Sequence, residues 1–175
     1  MPHLEPIGGV IGDIEPGDFV EDLERYLDEI VEPTIKDLEA NRTSVRKTFL
    51  ACVVVFHAID YLAYPKRSRT LRQQFNQESR SFAIVDDTAH AFKHVVAGNP
   101  ASPDLTAREV ISRPPAVWGK MTWDLSRWGD PVGGVTLDKE RNVDLYDVVV
   151  DATAFLRRKL KEVPSDQCPI DRGTP

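Results

Sequence analysis

The chain has no apolar run long enough to span a bilayer. Its longest, Phe49 to Tyr64, is interrupted by His57 and Asp60, whereas a membrane-crossing helix needs about 20 apolar residues. That run reads instead as a buried helix, and no membrane association is expected. Only two cysteines occur, Cys52 inside the run and Cys168 in a proline-rich tail, too few for a disulfide framework or a zinc knuckle. The opening residues lack the basic and apolar regions of a secretory signal, so a cytoplasmic location is expected. Gly-x-Ser-x-Gly, a Cys/His nucleophile pair, a phosphate-loop spacing and a dinucleotide fingerprint are all missing, and no cofactor is expected. GVTLD and GGV read as turn chemistry, and no internal repeat is visible.

What is present suits one domain. The chain has 175 residues, of which 41% are hydrophobic and 29% charged, the balance of a globular protein with one core. The net charge of −6 is unevenly spread. Residues 1–40 hold twelve carboxylates against Arg25 and Lys36, and residues 41–82 hold eight cations against Asp60 and Glu78. Neutralisation between these two segments across a packed helix pair is the expected outcome. The acidic total speaks against broad nucleic-acid binding.

Residues 1–17 read as an extended lead-in, 18–162 as a single helical domain and 163–175 as a loose C-terminal tail. Asp18 and Glu21 form a capping-box pattern for a first helix over about 18–40, which Pro33 should bend or break. Thr43 or Ser44 caps a second helix that Pro65 ends, apolar all the way round and so expected to be covered on every side. Ser68 caps a short basic helix. The stripe Phe82, Val85, Ala89, Phe92 and Val96 marks a third long helix, with Gly98 as its terminating residue. Between 107 and 138, apolar residues among Pro114-Pro115 and Gly133-Gly134 predict short strands or a hairpin. Asp144 then caps a last helix with Arg157, Arg158, Lys159 and Lys161 in its final turns. The fold class is therefore mainly α: a bundle of four to five helices with a small β-hairpin element before the last.

Candidate chemistry concentrates on the second and third long helices. Asp87, His90 and His94 fall opposite the apolar stripe, beside small alanines, and His57 and Asp60 interrupt the second helix. A buried carboxylate is costly without partners, so these five residues are expected to meet in a His/Asp cluster between helices. Such a cluster can fix helix register, hold a ligand, support acid–base catalysis or supply a metal-ligand pool of His57, Asp60, Asp87, His90 and His94. The paired Glu-x-x-His motifs of di-iron bundles are not present.

Trp118, Trp123 and Trp128 recur every five residues, with Arg113, Lys120 and Arg127 before and between them. Aromatics interleaved with cations can stack bases, but packing of a small sheet on helices is the expectation. An exposed tryptophan patch would instead favour a binding module with a protein partner.

FHAIDYLAYP followed by FAIVDDTAHAFKHVVAG resembles a group of small bacterial helical-bundle proteins to which no activity is attached. More distantly, residues 18–98, ending in a Lys-His pair, are similar to the HEPN superfamily. That resemblance implies a helical bundle, often dimeric, and a metal-independent RNase of toxin or phage-defence type. Its signature is an arginine followed within a few residues by a histidine. Here nine residues separate Arg80 from His90, so His90 or His94 would act as acid–base and Arg80 or Lys93 would supply the positive charge. Three functions stand side by side: a binding or regulatory module, an HEPN-like RNase or a degenerate relative, and a metal-dependent enzyme. A homodimer or a protein partner fits the first, and RNA the second.

Overall fold

The computed structural model describes residues 18–64, 66–94, 105–138 and 140–162. The lead-in, Gly98 and the tail with Cys168 lie outside them, as do the side chains of Lys93 and His94. Five helices and three short strands follow in chain order. Helix α1 runs over 18–39 as two α-helical stretches, Asp18–Tyr26 and Glu32–Glu39, joined by a π-helical turn, Leu27–Val31. Helix α2 is Val45–Ala63, α3 is Arg69–Glu78, α4 is Arg80–His94 and α5 is Leu145–Glu162. Strands β1 (Val110–Arg113), β2 (Gly134–Leu137) and β3 (Glu140–Asp144) form one antiparallel sheet in sequence order.

Pro33 does not break α1. Proline lacks an N–H, so the helix must lose one bond to the preceding turn. The chain absorbs the loss by widening for one turn, where Glu32 N–H reaches back to the carbonyl of Leu27. Leu27 and Val31 remain buried through that turn, in line with Leu23, Ile35 and Leu38.

Helix α2 starts at Ser44, whose Oγ accepts from Lys47 N–H at 3.3 Å. Thr48, Ala51, Cys52, Val55, Ala58 and Ile59 are buried along one side. The opposite side is open: Arg46, Leu50, His57, Asp60 and Tyr64 are all exposed. The expected covering on every side is thus corrected, because no other element packs over that stripe among the described residues. Helix α4 is the more enclosed one, with Val85, Asp86, Asp87, Thr88 and Ala89 buried in succession.

Phe75, Phe82 and Phe155 join α3, α4 and α5 through edge-on ring contacts at 5.0 and 5.6 Å. Burying side chains of this size supplies about 1.5–3 kcal/mol each. Two acids of α1 are paired from a different direction than the charge pattern predicts. Asp28 and Glu32 take Arg157 of α5, at 2.7 and 3.2 Å, because α5 rather than the basic segment lies along their face.

The expected hairpin is a three-stranded sheet. GVTL, read from sequence as a turn, is the central strand and is buried throughout. Val110 pairs with Leu137 and Arg113 with Gly134, and an irregularity between Thr136 and Leu137 shifts the register against β3. Strand β3 runs directly into α5, and Asp144 ends the strand and caps the helix, its Oδ1 accepting from Tyr146 N–H at 2.9 Å.

Candidate functional site

Asp86 and His90 of α4 find their polar partners on α3. Asp86, only 1% exposed, sits at the centre. Its Oδ2 lies 3.1 Å from Arg72 Nε and accepts from Asn76 Nδ2 at 2.7 Å, both on α3. One turn on, His90 Nδ1 is 2.9 Å from the Asp86 carbonyl and equally close to Oδ1. Its N–H is aligned with the carbonyl, so Oδ1 has a close imidazole neighbour but no aligned hydrogen bond. Arg72 NH1 lies 3.2 Å from His90 Nε2. A guanidinium has only donors, so this contact requires the Nε2 lone pair and places the imidazole proton on Nδ1.

Burial pushes the Asp86 carboxyl above its ordinary value. The Asn76 hydrogen bond and the charge of Arg72 pull the other way, and Asp87 adds to the rise. Burial of a carboxylate disfavours its charged form, and Arg72 and Asn76, both on Oδ2, offset part of that cost. Sequence reasoning passed over Asp86 in favour of its neighbour Asp87. The signal was available: Asp86 and His90 are four apart, one helical turn.

His57 and Asp60 pair with each other, His57 Nδ1 lying 3.2 Å from Asp60 Oδ2, on the open side of α2. Their polar company is water, since the two side chains are 49% and 55% exposed. Phe56 stands between this pair and the α4 network, its ring edge-on to both His57 and His90 at 5.4 and 4.9 Å. Asp87 is buried, and Arg80 is an exposed residue at the start of α4. Lys93 and His94 lie on the last turn of α4, their side chains outside the described residues. Among the described residues, no three His, Cys, Asp or Glu side chains come together as a metal-binding group.

The tryptophans are where the structure departs most from expectation. Trp118, Trp123 and Trp128 are 97%, 79% and 83% exposed, on the loop joining β1 to β2. They do not pack the sheet. The loop is a threefold local repeat that the sequence reading missed: Val117-Trp118-Gly119-Lys120, Thr122-Trp123-Asp124-Leu125 and Arg127-Trp128-Gly129-Asp130. In each, the fourth N–H bonds to the first carbonyl, at 3.0, 3.2 and 3.1 Å. The third residue of each has positive φ: 79° at Gly119, 64° at Asp124 and 78° at Gly129. Tryptophan is not among the positive-φ residues, so the three are turns of type II sign with indole at the second position. Gly and Asp are residues that tolerate positive φ; Trp-Gly, Trp-Asp and Trp-Gly at five-residue intervals were the available signal.

The loop is tied down at its base. Ala116 N–H bonds to the Asp130 carbonyl at 2.7 Å. Asp130 Oδ1 accepts from Gly133 N–H at 2.8 Å and from Val132 N–H at 3.2 Å. Its Oδ2 lies 2.9 Å from the buried Arg113, which also reaches Asp144 at 3.2 Å. Arg42 lies 3.5 Å from the same Asp144 oxygen and 3.0 Å from Asp147, and its guanidinium stacks on Tyr146. Between loop and sheet lies a cavity of about 180 Å³ lined by Ser112, Arg113, Leu125, Arg127 and Thr136, among others.

No helix of the described residues is long and apolar enough to cross a membrane. No family model, curated protein or solved structure matches the chain.

Proposed function

We propose that the protein is a small helical binding module whose working surface is the tryptophan loop between β1 and β2. In this reading the Asp86–His90–Arg72 network is the polar brace that sets α3 on α4. One observation carries the reading: three indoles stand at the same position of three successive turns, all turned to solvent. Exposed indole is unfavourable in water, and clustered exposed aromatics mark interaction surfaces. A loop that needed only to connect two strands would have no use for a repeated turn that spends two glycines on displaying tryptophan. The supporting base, from Asp130 through buried Arg113 to Asp144, holds the display on the body of the fold.

The test is affinity capture from cell extract with the wild-type chain and a W118A/W123A/W128A variant immobilised in parallel. The indoles are exposed, so the variant keeps its core and its helical circular dichroism. A component retained by the wild type and lost by the variant supports the reading. Identical retention by the two removes it.

A second reading, a degenerate HEPN-like RNase, draws on the Arg72–His90 pair. The positive charge assigned by resemblance to Arg80 or Lys93 has another source in Arg72, whose guanidinium is beside the imidazole. An acid–base histidine oriented by a backbone carbonyl with a cation nearby is a workable arrangement for phosphodiester cleavage. Incubation of total RNA with wild-type, His90→Ala and His94→Ala protein in EDTA tests it. Cleavage lost in a histidine variant supports the RNase reading, and intact RNA with wild-type protein sinks it.

A further inference from the structure

We propose that the repeated loop, residues 117–130, is a platform for single-stranded nucleic acid, a reading that rests on the loop being the binding surface. A display repeated on three turns closed by the same first-to-fourth hydrogen bond suits a ligand that itself repeats a flat face along a chain. Single-stranded nucleic acid is such a polymer, with a stackable base and an anionic phosphate in every unit, and aromatic platforms flanked by cations are how it is held without sequence preference.

The loop provides both components in alternation. Lys120 is exposed between Trp118 and Trp123, and Arg127 between Trp123 and Trp128. Of the two carboxylates in the loop, Asp130 is turned inward to Arg113, leaving Asp124 as the exposed one. The acids at the adjoining corner of the fold are also engaged: Asp144 with Arg113 and Arg42, Asp147 with Arg42, and Glu39, at the end of α1, with Tyr146. Ser112 of β1 donates to the carbonyl of Thr43 at 2.8 Å, which brings the start of α2, with exposed Arg46, against this strand. The acidic surface that dominates the net charge belongs to α1, a different element. A local excess of cations around exposed indoles can therefore act on phosphates despite the negative total, because exposed charges further apart than a Debye length of about 8 Å are largely screened at physiological salt.

The chain contains three tryptophans, and all three are in this loop. Intrinsic tryptophan fluorescence of the whole protein therefore reports on the platform alone. The experiment is a titration of the full chain with short oligo-dT and oligo-U, with a matched duplex and a neutral linear glucan as comparators, across a range of salt. Saturable quenching by the single strands is expected, with weak or no response to the duplex and the glucan. Neutralising two phosphates gives a slope of log affinity against log salt of about −1.4, and Lys120→Gln or Arg127→Gln takes away about 0.7 of it. In a labelled-oligonucleotide anisotropy assay, each single Trp→Ala variant binds about five- to 150-fold more weakly.

Failure of the single strands to quench overturns the inference, as does quenching by the glucan alone. Equal affinity for duplex and single strand overturns it as well, because stacked bases cannot reach the indoles. If single strands fail while capture still retains a component lost in the triple tryptophan variant, the binding-module reading stands and its ligand is of another class. Loss of both results removes both.

Discussion

Arg113 reaches from inside the protein to hold the Asp130 carboxylate at 2.9 Å, and its own side chain is almost wholly buried. Asp130 closes the tryptophan loop, so the display is fastened to the same cation that meets the cap of α5. Replacing Asp130 by Ala removes an ion pair and the two hydrogen bonds accepted by Oδ1. Because Arg113 keeps Asp144, the expected loss is about 1–3 kcal/mol rather than that of a stranded buried charge. Urea unfolding measures it, and a fall in tryptophan fluorescence anisotropy should accompany it as the loop loosens.

Two glycines of the same region should respond differently. At Gly119 a β-carbon meets nothing within 4 Å, so Gly119→Ala costs only the left-handed backbone, about 1–2 kcal/mol. At Gly133 a β-carbon would also lie 2.5 Å from the Arg113 carbonyl and 2.7 Å from Pro115 N, both backbone atoms that cannot swing aside. Gly133→Ala should lower the thermal midpoint distinctly more than Gly119→Ala, and equal shifts would contradict the crowding.

Acid should favour, not harm, the Asp86 site. The folded carboxyl binds a proton more readily than the unfolded one, since burial is the leading influence. Its contribution to stability is therefore least favourable above the folded pKa and improves as pH falls through that value towards the unfolded one. Asp86→Asn removes this titration. The stability of the wild type relative to the variant, from urea unfolding between pH 7 and pH 4, should rise as pH is lowered. A relative stability that falls instead would mean that the attraction of Arg72 and the Asn76 hydrogen bond outweigh burial.

Cys52 is fully buried, and burial alone pushes its thiol up to about 12. Thiolate is the reactive form, so native protein should leave Cys52 unalkylated. Peptide-resolved iodoacetamide labelling across a urea series should place its reaction on the global unfolding transition. Labelling well before that transition would reveal a local opening of α2.

The histidines of α2 and α4 should separate in stability. His57 is exposed and paired on its own helix, so His57→Ala should change stability by less than about 0.5 kcal/mol. His90 is bound to the Asp86 carbonyl, to Arg72 and edge-on to Phe56. His90→Ala should cost about 1–3 kcal/mol, as for a buried polar group that leaves partners behind.

What the sequence by itself determined is what depends on neighbours along the chain. Helix starts at Ser44 and Asp144 were legible because a cap is a bond across two or three residues. The mainly α class and the strands before the last helix followed from periodicity and from proline and glycine pairs. Even the tryptophan turns are written locally, in Trp-Gly and Trp-Asp at fixed spacing, although the indoles themselves suggest packing of the sheet.

Tertiary structure alone decided which faces meet. Periodicity shows that α4 has an apolar stripe, but that Asp86 meets a guanidinium and an amide depends on where α3 crosses it, which the distant residues Arg72 and Asn76 settle. The open side of α2 depends on the lack of a covering element there among the described residues, a fact that no property of α2 encodes. Likewise Arg113 looks like one more surface cation until the sheet brings Asp130 and Asp144 to it. Burial is a property of the assembled elements, and so the sequence points to His90 and the tryptophans but not to the partners that assemble around them.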